Sequence, residues 1–541
     1  MVRATNRLTD TRNAKLSYSA RMTNSTNSAP GVSQRPLHLF NSMGRALEEF
    51  HPIIPGFVRL YSCGLTVYNY AHLGNLRAYL FTDTLRRALQ YKGYEVLHVM
   101  NITDVGHMTS DQDEGEDKME MASAKSAKSP WELSEFYTLE FRKDLHRLNI
   151  MPPSVWCKAT DHIEEMLDFA RILDDRGYTY LIDSGLYFDT SKVKDYGRLA
   201  LIDGKDLQVG SRIEAIPGKR HPADFAIWRR SPEGKRRLME WDSPWGPGAP
   251  GWHLECSVMS LKYLSQHFDI HTGGVDHRQV HHVNEIAQNQ GFLNSDSSGV
   301  NIWMHNEFLM LEEEKMSKST GHFLRLETLI ERGLHPLSYR YFTLTASYRK
   351  QLQFSMDSLS GTQTRLQRIL RSIAQLKERA GDQEWYRALE ETKFSRGASF
   401  RVVRQLVENG LATEASQADA LDEALSDDLN TPRALALLSG LLSDTGMAPA
   451  NVLRNVALFD LALGLNLLST APEELLVQEE PGISEADIQK SIQERQSARQ
   501  NRDFRRADEI RQELLKAGVQ LKDSPQGTTW ERVAKPKPDG Q

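Results

Sequence analysis

One stretch, residues 57–100, narrows the folds open to this chain more than any other. Phe57 to Ser62 reads as a strand that ends at Cys63, and a turn with Gly64, Asn69 and Gly74 follows. Leu76, Tyr79, Leu80, Leu85, Ala88 and Leu89 then recur at helical spacing until Gly93 closes the run. Glu95 to Met100 is the next strand. Strand, turn, helix and strand in that order open a parallel α/β sheet, and the functional turn lies at the carboxyl end of the first strand. Many α/β enzymes share such a unit, so it defines fold class and leaves the chemistry open.

Two short runs narrow the chemistry. Ala71-His72-Leu73-Gly74-Asn75 falls in that turn and opens the helix, where an amino terminus favours an anion. Lys315-Met316-Ser317-Lys318-Ser319 lies far downstream. Two lysines two residues apart, flanked by small hydroxyl side chains, suit a loop that closes on a triphosphate. Either run alone turns up in ordinary surface loops; in this order they belong to one nucleotide site.

The rest of the chain divides by character. From Met1 to Pro36, Arg3, Arg7, Arg12, Lys15, Arg21 and Arg35 face only Asp10, among many Ser, Thr and Asn. That composition cannot bury enough apolar surface to fold, so residues 1–36 are expected to be a disordered extension. A later start at Met22 is the second reading. An organelle transit peptide is the third, ranked lower for its poor amphipathicity. Asp111 to Asp117 is an acidic loop or helix start. Segments from Trp131 to Leu238 mix helix and short strands, as an insertion in the sheet would, over about residues 125–240. Past Phe354 the pattern is almost purely helical: Leu359, Leu366, Ile369, Leu370 and Ile373, then Ala434 to Leu442 and Leu458 to Leu468. That describes a bundle of four or five helices. A Pro/Glu-rich linker, 471–482, leads to a last unit, 483–541, in which Lys490, Arg495, Arg499, Arg502, Arg505, Arg506 and Arg511 crowd a helix. No apolar run approaches the roughly 18 residues that span a bilayer. The net charge of −6 argues against a general polyanion binder while allowing a local basic face.

Three cysteines cannot all pair, and a reducing compartment is the default. Cys63 ends the first strand; Cys256 closes Gly251-Trp252-His253-Leu254-Glu255-Cys256. In His281-His282-Val283-Asn284-Glu285, His281 and Glu285 are i and i+4 on one helix face, and His282 is i+3 from the same carboxylate. Two thiols, an imidazole and a carboxylate make a tetrahedral Zn²⁺ set. Their scatter along the chain makes spacing weak support, since an isolated cysteine is most often a small buried hydrophobe.

The chain is similar to the cysteinyl-tRNA synthetases, a branch of the class I aminoacyl-tRNA synthetases. Tyr61 to Asn75 (YSCGLTVYNYAHLGN) resembles that family's form of the HIGH region. Asn101–Asp104 (NITD), Ala159–His162 (ATDH), Gly251–Cys256 (GWHLEC), Phe268–Gly274 (FDIHTGG) and His281–Gln288 (HHVNEIAQ) resemble further family blocks in the family's order. Lys315–Ser319 (KMSKS), Asp427–Pro432 (DDLNTP), Ala507–Ile510 (ADEI) and Pro525–Trp530 (PQGTTW) complete a likeness over roughly residues 37–533. Leu65 stands where the family usually has Pro, and Asn69 where Asp is common.

The resemblance implies a class I Rossmann-like parallel sheet with an inserted connective domain (37–345). A stem-contact segment and helical bundle (346–470) and a small carboxyl-terminal anticodon-binding domain would follow. It implies L-cysteine, ATP with Mg²⁺ and tRNA(Cys) as partners, a cytoplasmic monomer, and zinc held by Cys63, Cys256, His281 and Glu285. Between the two histidines the resemblance favours His281. It assigns phosphate contacts to His72, Gly74 and Asn75, close backbone approach to Gly273 and Gly274, and the ribose hydroxyls to Asp276. Lys315 and Lys318 would neutralise the departing pyrophosphate, and Thr103 and Trp252 would wall the cysteine pocket. A zinc ion would answer a selectivity problem: serine differs from cysteine only in oxygen for sulfur, which a simple pocket discriminates poorly. A thiol loses its proton to a metal far more readily than a hydroxyl does. The competing reading is a ligase of the mycothiol type, which activates cysteine in the same way and attaches it to an amino sugar. A non-catalytic RNA-binding paralogue is a third, disfavoured by the intact His72, Lys315 and Lys318.

Overall fold

A computed structural model describes residues 35–106, 118–126, 128–201, 216–234, 237–311, 324–394, 415–475, 485–500, 503–516, 519–524 and 527–532. Lys315 and Lys318, the acidic run 111–117 and most of the amino-terminal extension lie outside these residues.

The chain enters through an antiparallel hairpin, β1 (His38–Asn41) and β2 (Ala46–Glu49). Strands β3 (Phe57–Ser62), β4 (Glu95–Ile102) and β5 (Val155–Lys158) then build outward in parallel. An antiparallel sheet follows: β6 (Thr179–Ile182), β7 (Gly185–Phe188), β8 (Phe225–Arg230) and β9 (Gly248–Pro250). The chain returns to the other side of β3 with β10 (Phe268–Gly274) and β11 (Val300–Asn306), giving the parallel order β11-β10-β3-β4-β5. Every residue of β3 and β10 is buried, as expected of central parallel strands covered on both faces. Strand order reverses between β3 and β10, so the crevice beyond their carboxyl ends is where a doubly wound sheet binds ligands.

The expected insertion over about residues 125–240 needs correction. Val155–Lys158 joins the parallel sheet beside β4, and the true antiparallel unit runs on to Pro250. A four-residue edge strand reading Val-Trp-Cys-Lys carries too little alternation to be told from its helical neighbours.

The expected α/β fold of the class I type is what the chain adopts, with helices after the sheet. Strands β12 (Leu309–Leu311) and β13 (Leu352–Phe354) pair in parallel. Helices Met356–Ala380, Asp382–Phe394, Ala415–Ser426, Thr431–Ser443 and Pro449–Leu463 follow. Ser355 and Ser358 cap the first of these reciprocally, and Asn430 caps the fourth. One apolar core joins the two parts: Leu85 and Leu89 share it with Leu366, Leu370 and Phe459. At its edge Arg340, fully buried, donates to Asp83, Leu463 O and Leu148 O, while Arg87 donates to Asp83 and Leu461 O. The helix that begins at the His72 turn is thereby tied to the bundle.

The expected linker begins packed. Pro472–Leu475 forms a 3-10 turn, and Gln363 and Gln367 both donate to Leu475 O. In the last unit the arginine-rich region is two helices, Glu485–Gln500 and Phe504–Lys516, followed by the hairpin β14 (Val519–Ser524) and β15 (Gly527–Arg532). Arg495 is buried, and Arg505 and Arg506 pair with Glu509 and Glu513 along their own helix. The free basic face is therefore smaller than the sequence suggests. Among the described residues no helix is long and apolar enough to cross a membrane.

Candidate active site and metal centre

A cavity of about 560 Å³ opens at the carboxyl ends of β3 and β10. Cys63, His72, Gly74, Asn75, Trp252, Gly273, Gly274, Asp276 and His281 all line it. Residues that the sequence scatters over two hundred positions meet because the strand reversal sets the turn after β3 beside the turn after β10.

The turn after β3 is shaped by sterics and capping. A Cβ on Gly64 would lie 1.6 Å from Asn101 O, so only glycine lets the chain leave β3 under the end of β4. Asn101 holds the turn by accepting from Gly64 N at 2.7 Å. The Leu73–Tyr91 helix starts with a reciprocal cap: Asn75 N donates to His72 Nδ1 and His72 N donates to Asn75 Oδ1, each at 3.2 Å. Because Nδ1 accepts, the neutral ring carries its proton on Nε2. Burial pushes the His72 pKa down, which keeps the ring neutral at physiological pH.

On the β10 side a Cβ on Gly273 would approach His282 Cε1 to 2.7 Å, and one on Gly274 would approach Asp276 Oδ1 to 2.2 Å. Both glycines leave backbone open to the cavity. Burial works against the Asp276 carboxylate, yet His277 and backbone hydrogen bonds hold its pKa below the usual carboxylate range.

Cys63 at the end of β3, Cys256 in the Trp252–Leu264 helix, and His281 and Glu285 in the His281–Leu293 helix each present one ligand atom, all within 4.8 Å of one another. All four are buried. The two sulfurs stand 3.9 Å apart with no disulfide between them. His281 Nε2 and Glu285 Oε1 lie 3.0 Å apart as a buried ion pair on one helix face. The other carboxylate oxygen, Oε2, is 2.9 Å from His271 Nε2, the outer partner that a ligating carboxylate ordinarily has. Burial opposes ionisation throughout. Even so, Cys63 and His281 pull the Cys256 thiol down, His271 and His281 lower Glu285 to about 2, and Cys256 and Glu285 raise His281 to about 10. Burial and the neighbouring Cys256 push Cys63 up, so Cys256 ionises first. These donors fit a soft divalent cation.

A second set, Cys63, His271, His282 and Glu285, meets the same distance limit. His282 Nδ1 is 2.8 Å from His305 Nε2, and His305 Nδ1 is 2.8 Å from Ser42 Oγ. His253 Nδ1 lies 3.0 Å from His281 Nδ1. Sequence reading singled out His281 and His282; His253, His271 and His305 join them only through the fold. Their one signal was burial-prone sequence around polar rings, as in Phe268-Asp-Ile-His271.

Thr103 is placed differently from expectation. It is buried and not among the lining residues; Asn101 Nδ2 donates to its hydroxyl at 3.1 Å. Trp252 does line the cavity, its ring 4.3 Å from that of His281.

Residues 49–364 match the tRNA synthetases class I (C) catalytic domain, which sets the class. Residues 481–530 match the cysteinyl-tRNA ligase anticodon binding domain. The chain is 51% identical over 506 residues to the cysteine–tRNA ligase of Zymomonas mobilis subsp. mobilis, covering 92% of this chain and 98% of that protein. It is 46% identical over 510 residues to that of Novosphingobium aromaticivorans, covering 93% and 98%. A solved Mycobacterium tuberculosis methionyl-tRNA synthetase bound by methionyl-adenylate is similar at a TM-score of 0.45 and 16% identity, covering 80% of this chain and 96% of that one. The chain belongs to the cysteine–tRNA ligase family of class I aminoacyl-tRNA synthetases.

Proposed function

We propose that this protein joins L-cysteine to tRNA(Cys) with ATP, using zinc held by Cys63, Cys256, His281 and Glu285 to select the amino acid. The observation that carries the reading is the convergence of these four donors, two of which (Cys63 and His281) line the cavity that His72 and Asn75 also line. The family relationship and the anticodon-binding match support the RNA acceptor over an amino sugar.

In the first step a carboxylate oxygen of cysteine attacks the α-phosphorus of ATP and pyrophosphate leaves, giving cysteinyl-adenylate. No general base is needed, because the nucleophile is already ionised. His72 Nε2–H donates to a phosphate oxygen as charge builds there, and the helix amino terminus behind it adds backbone donors. Gly74, Gly273 and Gly274 admit the nucleotide against the backbone, and Asp276 accepts from ribose hydroxyls. Lys315 and Lys318 screen the departing pyrophosphate, and Mg²⁺ accompanies ATP. In the second step a hydroxyl of the 3′-terminal ribose attacks the carbonyl carbon and AMP leaves.

Zinc, when bound, supplies a soft Lewis-acid centre that favours a thiolate over an alcohol. His271 steadies Glu285, His253 stands behind His281, and Trp252 covers the ligand set from the cavity side. His281 is favoured over His282 as ligand because its set brings both thiols. Thiols so close would oxidise to a disulfide in an oxidising compartment, which suits a cytoplasmic location; we take the protein to act as a monomer. Amino-acid-dependent pyrophosphate exchange, followed by charging of bulk tRNA, tests the reading. Cysteine should support both reactions, and failure of cysteine to drive exchange would overturn it.

A further inference from the structure

The block Asp427–Pro432 takes no part in the chemistry described so far, yet its backbone is tightly constrained. Asp428 has a φ of 49° and Leu429 one of 58°, two successive non-glycine residues in the left-handed region. Such a pair is costly and persists where surrounding contacts hold it. Asp428 Oδ1 accepts from Phe40 N at 2.9 Å and from the Tyr348 hydroxyl at 2.6 Å, and Oδ2 accepts from Arg349 Nε at 2.5 Å. Arg77, buried in the Leu73–Tyr91 helix, holds the same turn: its Nη2 donates to Lys350 O at 2.5 Å. Arg77 Nη1 donates to Glu307 O at 2.6 Å and to Phe308 O at 2.5 Å. Tyr348 O accepts from Glu307 N at 2.8 Å, which closes the circuit. Asn306, Glu307, Phe308 and Leu309 line the cavity; Arg77, Tyr348 and Asp428 do not.

We propose that Arg77 is a positioning residue for ATP: braced by Asp428 through the Tyr348–Lys350 turn, it fixes the Asn306–Leu309 wall against which the nucleotide binds. The inference rests on the nucleotide side assigned in the proposed function. In the order β11-β10-β3, Asn306 pairs with Gly274, so this wall continues the side formed by Gly273, Gly274 and Asp276. Cys63 leaves β3 on the opposite flank of β10, so the wall faces away from the thiol end of the cavity. Pairing of Leu309 with Leu352 already attaches the wall to β13, so holding it in place does not by itself call for a buried cation. Burial lowers the Arg77 pKa, with Tyr339 and Glu307 opposing. What the guanidinium adds is a rigid planar fork that fixes three chain segments relative to one another, which an ammonium cannot do.

Arg77→Lys keeps the charge and loses the fork. Assayed below its unfolding temperature, it should raise KM for ATP, and Kd for Mg²⁺-ATP measured without cysteine, by about tenfold. KM for cysteine and zinc content should stay at wild-type values. A merely structural role would lower the folded fraction, which reduces kcat and leaves both KM values alone. Asp428→Asn, which weakens the brace from outside the cavity, should give the same split at about threefold, so the test stands even if the lysine variant does not fold. Wild-type ATP binding in either folded variant, or an equal rise in KM for cysteine, would overturn the proposal. Wild-type protein that binds ATP but shows no cysteine-driven exchange would instead overturn the proposed function.

Discussion

His72 and Asn75 hold one another in a reciprocal cap, each backbone N–H donating to the other's side chain at 3.2 Å. The same contact that starts the helix sets the tautomer of the ring facing the nucleotide site. Folding and function therefore share one pair of hydrogen bonds. Asn75→Ala should remove the contact to His72 N, destabilise the helix start by about 1 kcal/mol and slow cysteine-dependent pyrophosphate exchange about tenfold or more. Asn75→Asp keeps the acceptor and should recover most of the stability. Thermal unfolding and exchange rates on the three proteins check this.

The two candidate ligand sets predict different outcomes at neighbouring histidines. His281→Asn should abolish zinc retention and lower cysteine activation by at least about a hundredfold, whereas His282→Asn, which removes a partner of His305, should keep most of the metal. Cys256→Ser should behave like His281→Asn. Zinc content by atomic emission and exchange kinetics decide the matter.

Burial is the main cause that holds His98 well below the ordinary histidine pKa; Arg86 adds to the shift and Asp83 opposes it. His98 Nε2 lies 2.8 Å from Ser62 Oγ beneath the cavity. Below the unfolded pKa of about 6.5 the unfolded chain gains a proton at this position and the folded protein does not, so stability falls as pH falls. The slope is at most about 1.4 kcal/mol per pH unit for one such group. His98→Gln should reduce the loss seen between pH 6.5 and 5.5 in urea unfolding, even if the variant is less stable at pH 7.5.

Arg340 is fully buried and shares Asp83 with Arg87, and the pair lowers the Asp83 carboxyl to about 2 against the penalty of burial. Arg340→Met strands part of that charge and should cost about 3–5 kcal/mol. Adding Asp83→Asn should recover part of the loss, a non-additivity expected of residues in one network. Urea unfolding of the single and double variants measures it.

Much of this was legible before any coordinates. The β3–helix–β4 unit announced itself because apolar periodicity switches from two to 3.6 across a glycine turn, and the family blocks preserve their order. Cys63, Cys256, His281 and Glu285 could be named, but nothing in their spacing says that they meet; only the strand reversal brings them within 4.8 Å. The edge strand Val155–Lys158 was missed because four residues carry too little pattern. His253, His271 and His305 were missed because single histidines in apolar runs look the same whether they pack or ligate.

The last unit makes a separate demand. Removing residues after Glu480 deletes the two arginine-bearing helices and the β14–β15 hairpin and leaves the cavity intact. Adenylate formation should persist, and kcat/KM for tRNA should fall at least tenfold, as expected when phosphate and base contacts are lost. Full charging by the shortened protein would remove that unit from tRNA recognition.

The most direct test of the account is pyrophosphate exchange driven by cysteine and, separately, by serine, in protein whose zinc content has been measured. The account predicts exchange with cysteine alone in protein carrying one zinc per chain, loss on chelation and recovery when zinc is restored. Undiminished cysteine exchange in zinc-free protein, or serine exchange at a comparable rate, would contradict it.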